Sequence, residues 1–272
     1  MTKLAGEHAE LTERLRGLLE QYYVRYYRDT LGLPDWRAKV IGRQREEEVE
    51  ATRIQAVADT VGRPLRGMRV LNVGCGTGGF NVAVERAGAE SWGVDANLDA
   101  IRICDLRRAL GTGGQYALAV AESLPFRDAS FDLVYCLSTL EHVADVEVTV
   151  REMVRVARPG GSILLYAPNS WALYENHYKI FWPPRCPKPL ARLYLKARGR
   201  PTRFVDTLNY LSLRRCVDLF RRAGVVPEPF RLVKVDESQT GLAGRMARLY
   251  YRAFNIEPAI QLVARKEAFR RP

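Results

Sequence analysis

Residues 70–80 read Val-Leu-Asn-Val-Gly-Cys-Gly-Thr-Gly-Gly-Phe, a short apolar run that empties into a glycine cluster. That pattern predicts a buried strand, a tight turn, and a helix starting at the last glycines. Glycines let the backbone approach a ligand closely, and the first turn of the helix offers free N–H groups to an anionic or carboxyl-bearing group. Two nucleotide-cradling patterns overlap here. Gly74, Gly76 and Gly79 match G-x-G-x-x-G, the dinucleotide fingerprint, and Asp95 stands about 20 residues on, where a ribose-binding carboxylate belongs. Gly74, Gly76 and Gly78 equally match a shorter G-x-G-x-G. The loop alone leaves both readings open.

Working outward, the chain alternates strand and helix patterns on the carboxyl side of the loop. Strands are expected at 70–73, 91–95, 115–120, 131–137 and 162–167, with helices at 78–87, 98–110 and 146–157 between them. The fourth strand is apolar almost throughout, as in a strand covered on both faces. Such alternation builds a parallel sheet with right-handed crossovers. Before the loop, helices are expected at 7–33, with a stripe of Tyr22, Tyr23, Tyr26 and Tyr27, and at 43–61. After Pro168 the rhythm breaks into an aromatic, proline- and arginine-rich stretch, 169–206, read as an inserted cap. Regular structure resumes with a helix at 212–223, a strand at 230–235, a basic helix at 242–254 and a strand at 259–265.

Composition narrows the class. A chain of 272 residues with 47% hydrophobic content suits one α/β domain with decorations. No apolar run reaches the ~20 residues of a membrane span, and no signal-peptide core opens the sequence. The five cysteines are scattered and never form C-x-x-C, which argues for reduced thiols in a cytoplasm and against a metal site built on them. The net charge of +11 implies affinity for an acidic partner, or simply an arginine-rich background.

The segments downstream choose between the two loop readings. Ala121-Glu-Ser-Leu-Pro-Phe126 precedes Phe131-Asp-Leu-Val134, Glu141-His-Val143 follows the fourth strand, Arg158-Pro-Gly-Gly161 precedes the fifth, and Gln261-Leu-Val-Ala-Arg-Lys266 closes the pattern. A dehydrogenase needs a further domain with a hydride-transfer acid, and these segments supply no obvious one, which leaves it a formal alternative. In this order the motifs resemble the class I S-adenosylmethionine-dependent methyltransferases, over roughly residues 65–266. The resemblance implies a Rossmann-like, doubly wound α/β sheet of seven strands, the last antiparallel, with the cofactor across the ends of the first two. It divides the chain into an N-terminal helical extension (1–64), an S-adenosylmethionine-binding core (65–168), a substrate cap (169–206) and the rest of the core (207–272).

Carried over by position, Gly74, Cys75 and Gly76 face the methionine moiety, Gly78 completes the cofactor-binding loop and Asp95 holds the ribose. Ala96 and Asn97 flank the adenine, Ala121 and Glu122 meet its edge, and Leu137 lies under the methionine chain. Asn72 replaces the acidic residue common in the first strand, keeping an acceptor without its charge.

An oxygen nucleophile wants a general base, and neutral imidazole suits that at pH 7. His177, in Glu175-Asn-His177 of the cap, is one candidate, and His142, after the fourth strand, is another; each is equally readable as a packing residue. Trp171, Tyr174, Tyr178, Phe181 and Trp182 offer a wall for a ring or lipid tail, or else pack downward. The expected activity is O-methylation of a glycan, sugar or lipid-linked acceptor, with a quinone- or lipid-ring acceptor at an anionic membrane surface as the alternative. A non-catalytic cofactor-binding scaffold is the rival from another class. No nucleic-acid module is visible, no metal is expected, and the location expected is cytoplasmic or membrane-peripheral.

Overall fold

The computed structural model describes residues 2–231 and 241–267. The helix expected at 7–33 is α1, Thr2–Val24, continued by a π-helical segment, Arg25–Thr30. The one expected at 43–61 is α3, Glu46–Val61, and is preceded by an additional helix, α2, Trp36–Gln44. Gly62 ends α3 in the left-handed conformation (φ 83°), its N–H returning to the Ala58 carbonyl at 2.9 Å.

The core then alternates as expected. The strands are β1 (Arg69–Val73), β2 (Glu90–Asp95), β3 (Gln115–Leu118), β4 (Phe131–Leu137) and β5 (Ala157–Pro168). The helices between them are α4 (Gly79–Arg86), α5 (Leu98–Ala109) and α6 (Val146–Val156). The cap contributes a two-stranded hairpin, β6 (Tyr174–Glu175) and β7 (Ile180–Phe181), and helices α7 (Lys188–Ala197) and α8 (Arg203–Thr207). The chain returns through α9 (Leu213–Arg222), β8 (Pro227–Pro229), α10 (Gly241–Ala253) and β9 (Ala259–Arg265). The short strand β8 ends at Pro229, just before the strand expected at 230–235, of which positions 232–235 lie outside the described residues.

Seven strands pair in the order β3-β2-β1-β4-β5-β9-β8, with β1 to β5 parallel and β9 antiparallel to β5. The order reverses between β1 and β4, so the crevice for a ligand opens at their carboxyl ends. This is the doubly wound α/β sheet with an antiparallel last strand that the motif series implied.

Two of the sequence motifs act at a distance from that crevice. Asp132, at the start of β4, is buried and accepts hydrogen bonds from Arg63 Nη2 at 2.6 Å and the Arg69 N–H at 2.9 Å, with Arg158 as a further partner. Arg155 of α6 donates to the Phe126 and Leu124 carbonyls at 2.7 and 3.0 Å, pinning the Ala121–Phe126 loop. Both clamp connections around the sheet, so these motifs fix its frame.

A second core lies outside the sheet. Leu19, Tyr23, Tyr27 and Val40 of the N-terminal helices pack on Tyr178, Trp182, Leu195 and Val205 of the cap. Tyr178 is fully buried and Trp182 is 6% exposed, their rings stacked at 6.4 Å. Of the two options open for the five aromatics, Tyr178 takes packing, while Trp171 and Phe181 are 42% and 39% exposed.

Candidate active site

The glycine loop is built as the sequence implied. Gly74, Gly76 and Gly78 have φ of 71°, 53° and 84°. At Gly74 a side chain is barred twice, since an added Cβ would lie 2.1 Å from Thr139 Oγ1. The N–H groups of Gly74 and Cys75 both donate to the Val94 carbonyl, at 2.8 and 2.9 Å, which ties the loop to β2. Asp95 ends β2 and completes the cradle: Oδ2 accepts the Gly76 N–H and Oδ1 the Asn97 N–H, each at 2.8 Å. Burial raises the Asp95 pKa against the pull of these backbone donors. The carboxylate is therefore held rigidly, with lone pairs left for two ribose hydroxyls.

The other residues expected at the cofactor have varied local tasks. Asn72 is buried and donates to Asn81 Oδ1 at 2.8 Å, and Asn81 in turn donates to Ser91 Oγ at 2.6 Å. That polar chain links β1, α4 and β2. Asn97 is the N-cap of α5, its side chain accepting from the Asp99 and Ala100 N–H groups, while Ala96 beside it is exposed. Ala121 is buried, and Glu122 Oε1 accepts the Ala144 N–H at 2.6 Å, joining the two loops on that side. Leu137 ends β4 half-buried. Cys75 is buried, as is Cys104, whose Sγ donates to the Gly76 carbonyl at 3.3 Å.

Beyond β4 lies an acid–base cluster. Ser138 takes a left-handed conformation (φ 52°), uncommon for a residue with a side chain, and turns the chain toward the crevice. Glu141 follows at 2% exposure, and neither of its carboxylate oxygens receives a hydrogen bond of full geometry among the described residues. His177 Nε2 and His142 Nε2 stand 3.8 and 3.9 Å from its Oε1. The two imidazoles are 5.1 Å apart, and Phe204 packs on both, at 5.2 and 5.4 Å. His177 Nδ1 is 2.7 Å from Glu175 Oε1. The structure therefore brings His142 and His177 together and adds two carboxyl groups that sequence reasoning passed over as acids or bases. Glu141 stood in a quoted motif, but its histidine neighbour drew the attention.

The electrostatics follow from burial. Desolvation raises the Glu141 pKa to about 7, against the charge of His177. Burial also lowers His142, to about 4, so it is neutral at pH 7. For His177 burial works against the imidazolium, but the hydrogen bond and charge of Glu175 and the charge of Glu141 outweigh it, and its pKa is raised. Glu141, His142 and His177 present ligand atoms within 4.8 Å of one another, a carboxylate and two imidazoles that could also hold a divalent cation.

Glu141, Glu175 and His177 line a cleft of about 50 Å³ bounded largely by residues of the 169–206 segment. Its remaining wall mixes apolar and aromatic residues, among them Ala172, Tyr174, Trp182, Leu208, Tyr210 and Leu211, with the polar Asn169, Ser170, Asn176, Arg185 and Asn209. Asn209 straps the acidic loop, its N–H donating to the Glu141 carbonyl and its side chain to the Val143 carbonyl, both at 2.7 Å.

This glycine loop, the carboxylate of Asp95 at the end of β2 and this sheet order are the pattern of the nucleoside-sulfonium methyltransferase class. Residues 71–165 match the family model described as a methyltransferase domain. The chain belongs to the class I S-adenosylmethionine-dependent methyltransferase family, and its cofactor is S-adenosylmethionine. It is 37% identical over 118 residues to a ubiquinone biosynthesis O-methyltransferase of Ralstonia nicotianae, covering 43% of this chain and 49% of that one. Over 178 residues it is 32% identical to the protein of that name from Rhizobium etli, covering 58% of this chain and 72% of the relative. The chain thus spans about half the length of the first of these relatives. An S-adenosylmethionine-dependent methyltransferase from Mesorhizobium loti has the same fold, with a TM-score of 0.52 and 21% identity over 78% of this chain and 97% of that one.

Proposed function

We propose that the chain methylates a hydroxyl oxygen on a flat ring acceptor of the quinol or catechol class that carries an apolar tail. The observation that carries this reading is Glu141, a buried carboxyl without a hydrogen-bond donor, set between two imidazoles at a cleft with aromatic and aliphatic walls. The quinone-pathway names of the relatives favour the same choice, so the ring acceptor takes precedence over the glycan first expected.

S-adenosylmethionine supplies the electrophilic methyl and departs as its neutral thioether. The protein's own task is to align the ring hydroxyl in line with that methyl, exclude water and accept the proton as the C–O bond forms. Glu141 has a pKa near the working pH, which suits a general base. His177, whose pKa is raised and whose Nε2 is 3.8 Å from Glu141, can take the proton in turn, Glu175 orients it, and His142, its pKa lowered to about 4, stays neutral.

No helix among the described residues is long and apolar enough to cross a membrane. The cap nevertheless exposes Leu190 and Leu193 (58% and 65%), and α10 exposes Met246 and Leu249 (62% and 66%) among arginines. Such a surface suits an anionic lipid layer that presents a tailed acceptor. The test is methyl transfer from labelled S-adenosylmethionine to a prenylated catechol and, in parallel, to a hydroxyl-bearing oligosaccharide. Label in the catechol is expected; label in the oligosaccharide alone would restore the glycan reading.

A further inference from the structure

Behind the glycine loop lies a buried polar network that the acid–base cluster does not use. Glu46, the first residue of α3, is 4% exposed, Thr77 of the loop 2% and Arg107 of α5 1%. Tyr23 Oη donates to Glu46 Oε2 at 2.6 Å, and Thr77 Oγ1 donates to Glu46 Oε1 at 2.6 Å. Arg107 donates through Nη2 to Glu46 Oε1 and through Nε to the Thr77 carbonyl, both at 2.7 Å, and pairs with Glu47 through Nη1. Tyr23 Oη and Thr77 Oγ1 are also 2.7 Å apart. Four segments of the chain thus meet on one threonine of the cofactor loop.

The approach is close by design of the sequence. A Cβ added at Gly79 would lie 2.7 Å from Glu46 Cγ, so glycine is what lets α3 reach the loop. Next to Thr77, the Gly76 N–H is the group that binds Asp95. The same N-terminal helix extends over the cofactor side. Arg25 Nη1 pairs with Asp99 Oδ2 at 2.8 Å, two residues past Asn97. The Tyr22 phenol is pushed upward by burial first and by the Asp95 charge second.

We propose that Glu46 is a positioning residue for the cofactor. Held by Tyr23 and Arg107, it fixes Thr77 and so presets the N–H groups of the loop and the Gly76–Asp95 contact before the cofactor arrives. A buried ion network is weak as a source of stability, because apolar residues of the same volume often do as well or better. A network satisfied on all sides and joined to a ligand loop instead lowers the cost of ordering that loop on binding. The N-terminal helices are therefore part of the cofactor site. The inference rests on S-adenosylmethionine binding in this cleft.

The test uses the full chain and calorimetric titration with S-adenosylhomocysteine, with circular dichroism to establish folding. Tyr23→Phe keeps the ring and removes one hydroxyl; Glu46→Gln keeps the shape and removes the charge. Each should weaken binding about tenfold, the scale of one charge-assisted hydrogen bond. Thr77→Val should behave alike, while Thr77→Ser, which restores the hydroxyl, should bind within about twofold of the parent. Folded Tyr23→Phe and Thr77→Val proteins that bind as the parent does would overturn the proposal and leave the network a fold clamp. If Glu46→Gln fails to fold, the Tyr23 and Thr77 variants decide the matter. A parent chain that binds no S-adenosylhomocysteine would bring down the cofactor assignment itself, a result the parent titration alone reveals.

Discussion

His177 Nε2 stands 3.8 Å from Oε1 of Glu141, a carboxyl to which no described residue donates a hydrogen bond of full geometry. The far side of the same imidazole is held by Glu175 at 2.7 Å. One imidazole between two carboxyl groups can move a proton from either side without net charge entering the cleft. Burial of Glu141 is what makes that exchange useful near neutrality, since an exposed glutamate would stay ionised.

The pH profile of turnover should reflect this. With Glu141 as base, kcat/KM rises with pH through about 7, where its carboxyl loses the proton. Glu141→Gln should lower kcat by about a hundredfold to ten-thousandfold and remove that limb of the profile. Rates measured against pH for both proteins check it; an unchanged limb in the variant would take the base role from Glu141.

Stability against pH gives a second handle. The Glu141 pKa is raised from 4.5 to about 7, so its contribution is full below 4.5 and lost as pH rises through about 7. The His142 pKa is lowered from 6.5 to about 4, so its contribution is full above 6.5 and lost as pH falls through about 4. Between about 4.5 and 6.5 the two slopes oppose each other. Glu141→Gln should therefore show a Tm that climbs with pH across that window more steeply than the parent. Thermal melts at a series of pH values measure it, and parallel curves would refute the opposition.

Gly74→Ala and Gly67→Ala separate conformation from contact. Both glycines have φ near 70° (71° and 72°), but only Gly74 has a neighbour, Thr139 Oγ1, at 2.1 Å from the added Cβ. Gly67→Ala should cost about 1–2 kcal/mol for the left-handed backbone alone. Gly74→Ala should cost that plus about 1–3 kcal/mol of overpacking, and should also weaken cofactor binding. Denaturant melts compare the two; equal losses would mean the Thr139 contact relaxes freely.

Asp95→Ala removes both the ribose acceptor and the group that holds Gly76 and Asn97. Affinity for S-adenosylhomocysteine should fall by more than tenfold, at about 1.5–3 kcal/mol for each hydrogen bond to the charged group. Asp95→Asn, which keeps one oxygen acceptor, should lose less. Calorimetry on both variants is the check, and binding within twofold for folded Asp95→Ala would make the residue structural only.

What could be read in the sequence was what is local. The strand, the glycines and Asp95 declare themselves because backbone conformation and a single strand-end carboxylate set their chemistry. His142 and His177 were also found, as isolated imidazoles, but their meeting depends on the cap folding back over β4. Glu141 looked ordinary because burial without a donor is a property of its surroundings. The tyrosine stripe was legible as helix, yet Tyr23 reaches Thr77 across 54 positions, a distance no periodicity reports. Tyr178 was expected to have the option of facing substrate, and packs instead on apolar residues of the N-terminal helices. The edge strand at 227–229 went unread because it contains Pro227 and Pro229, which are tolerated only at such an edge.

The most direct measurement is a single turnover with methyl-labelled S-adenosylmethionine and a prenylated catechol, run on the parent and on Glu141→Gln, with mass spectrometry locating the methyl. The account predicts an O-methyl ether and an equal amount of S-adenosylhomocysteine from the parent, and a strongly slowed reaction from a variant that still binds cofactor. A methyl group on carbon or nitrogen, or equal rates from both proteins, would contradict it.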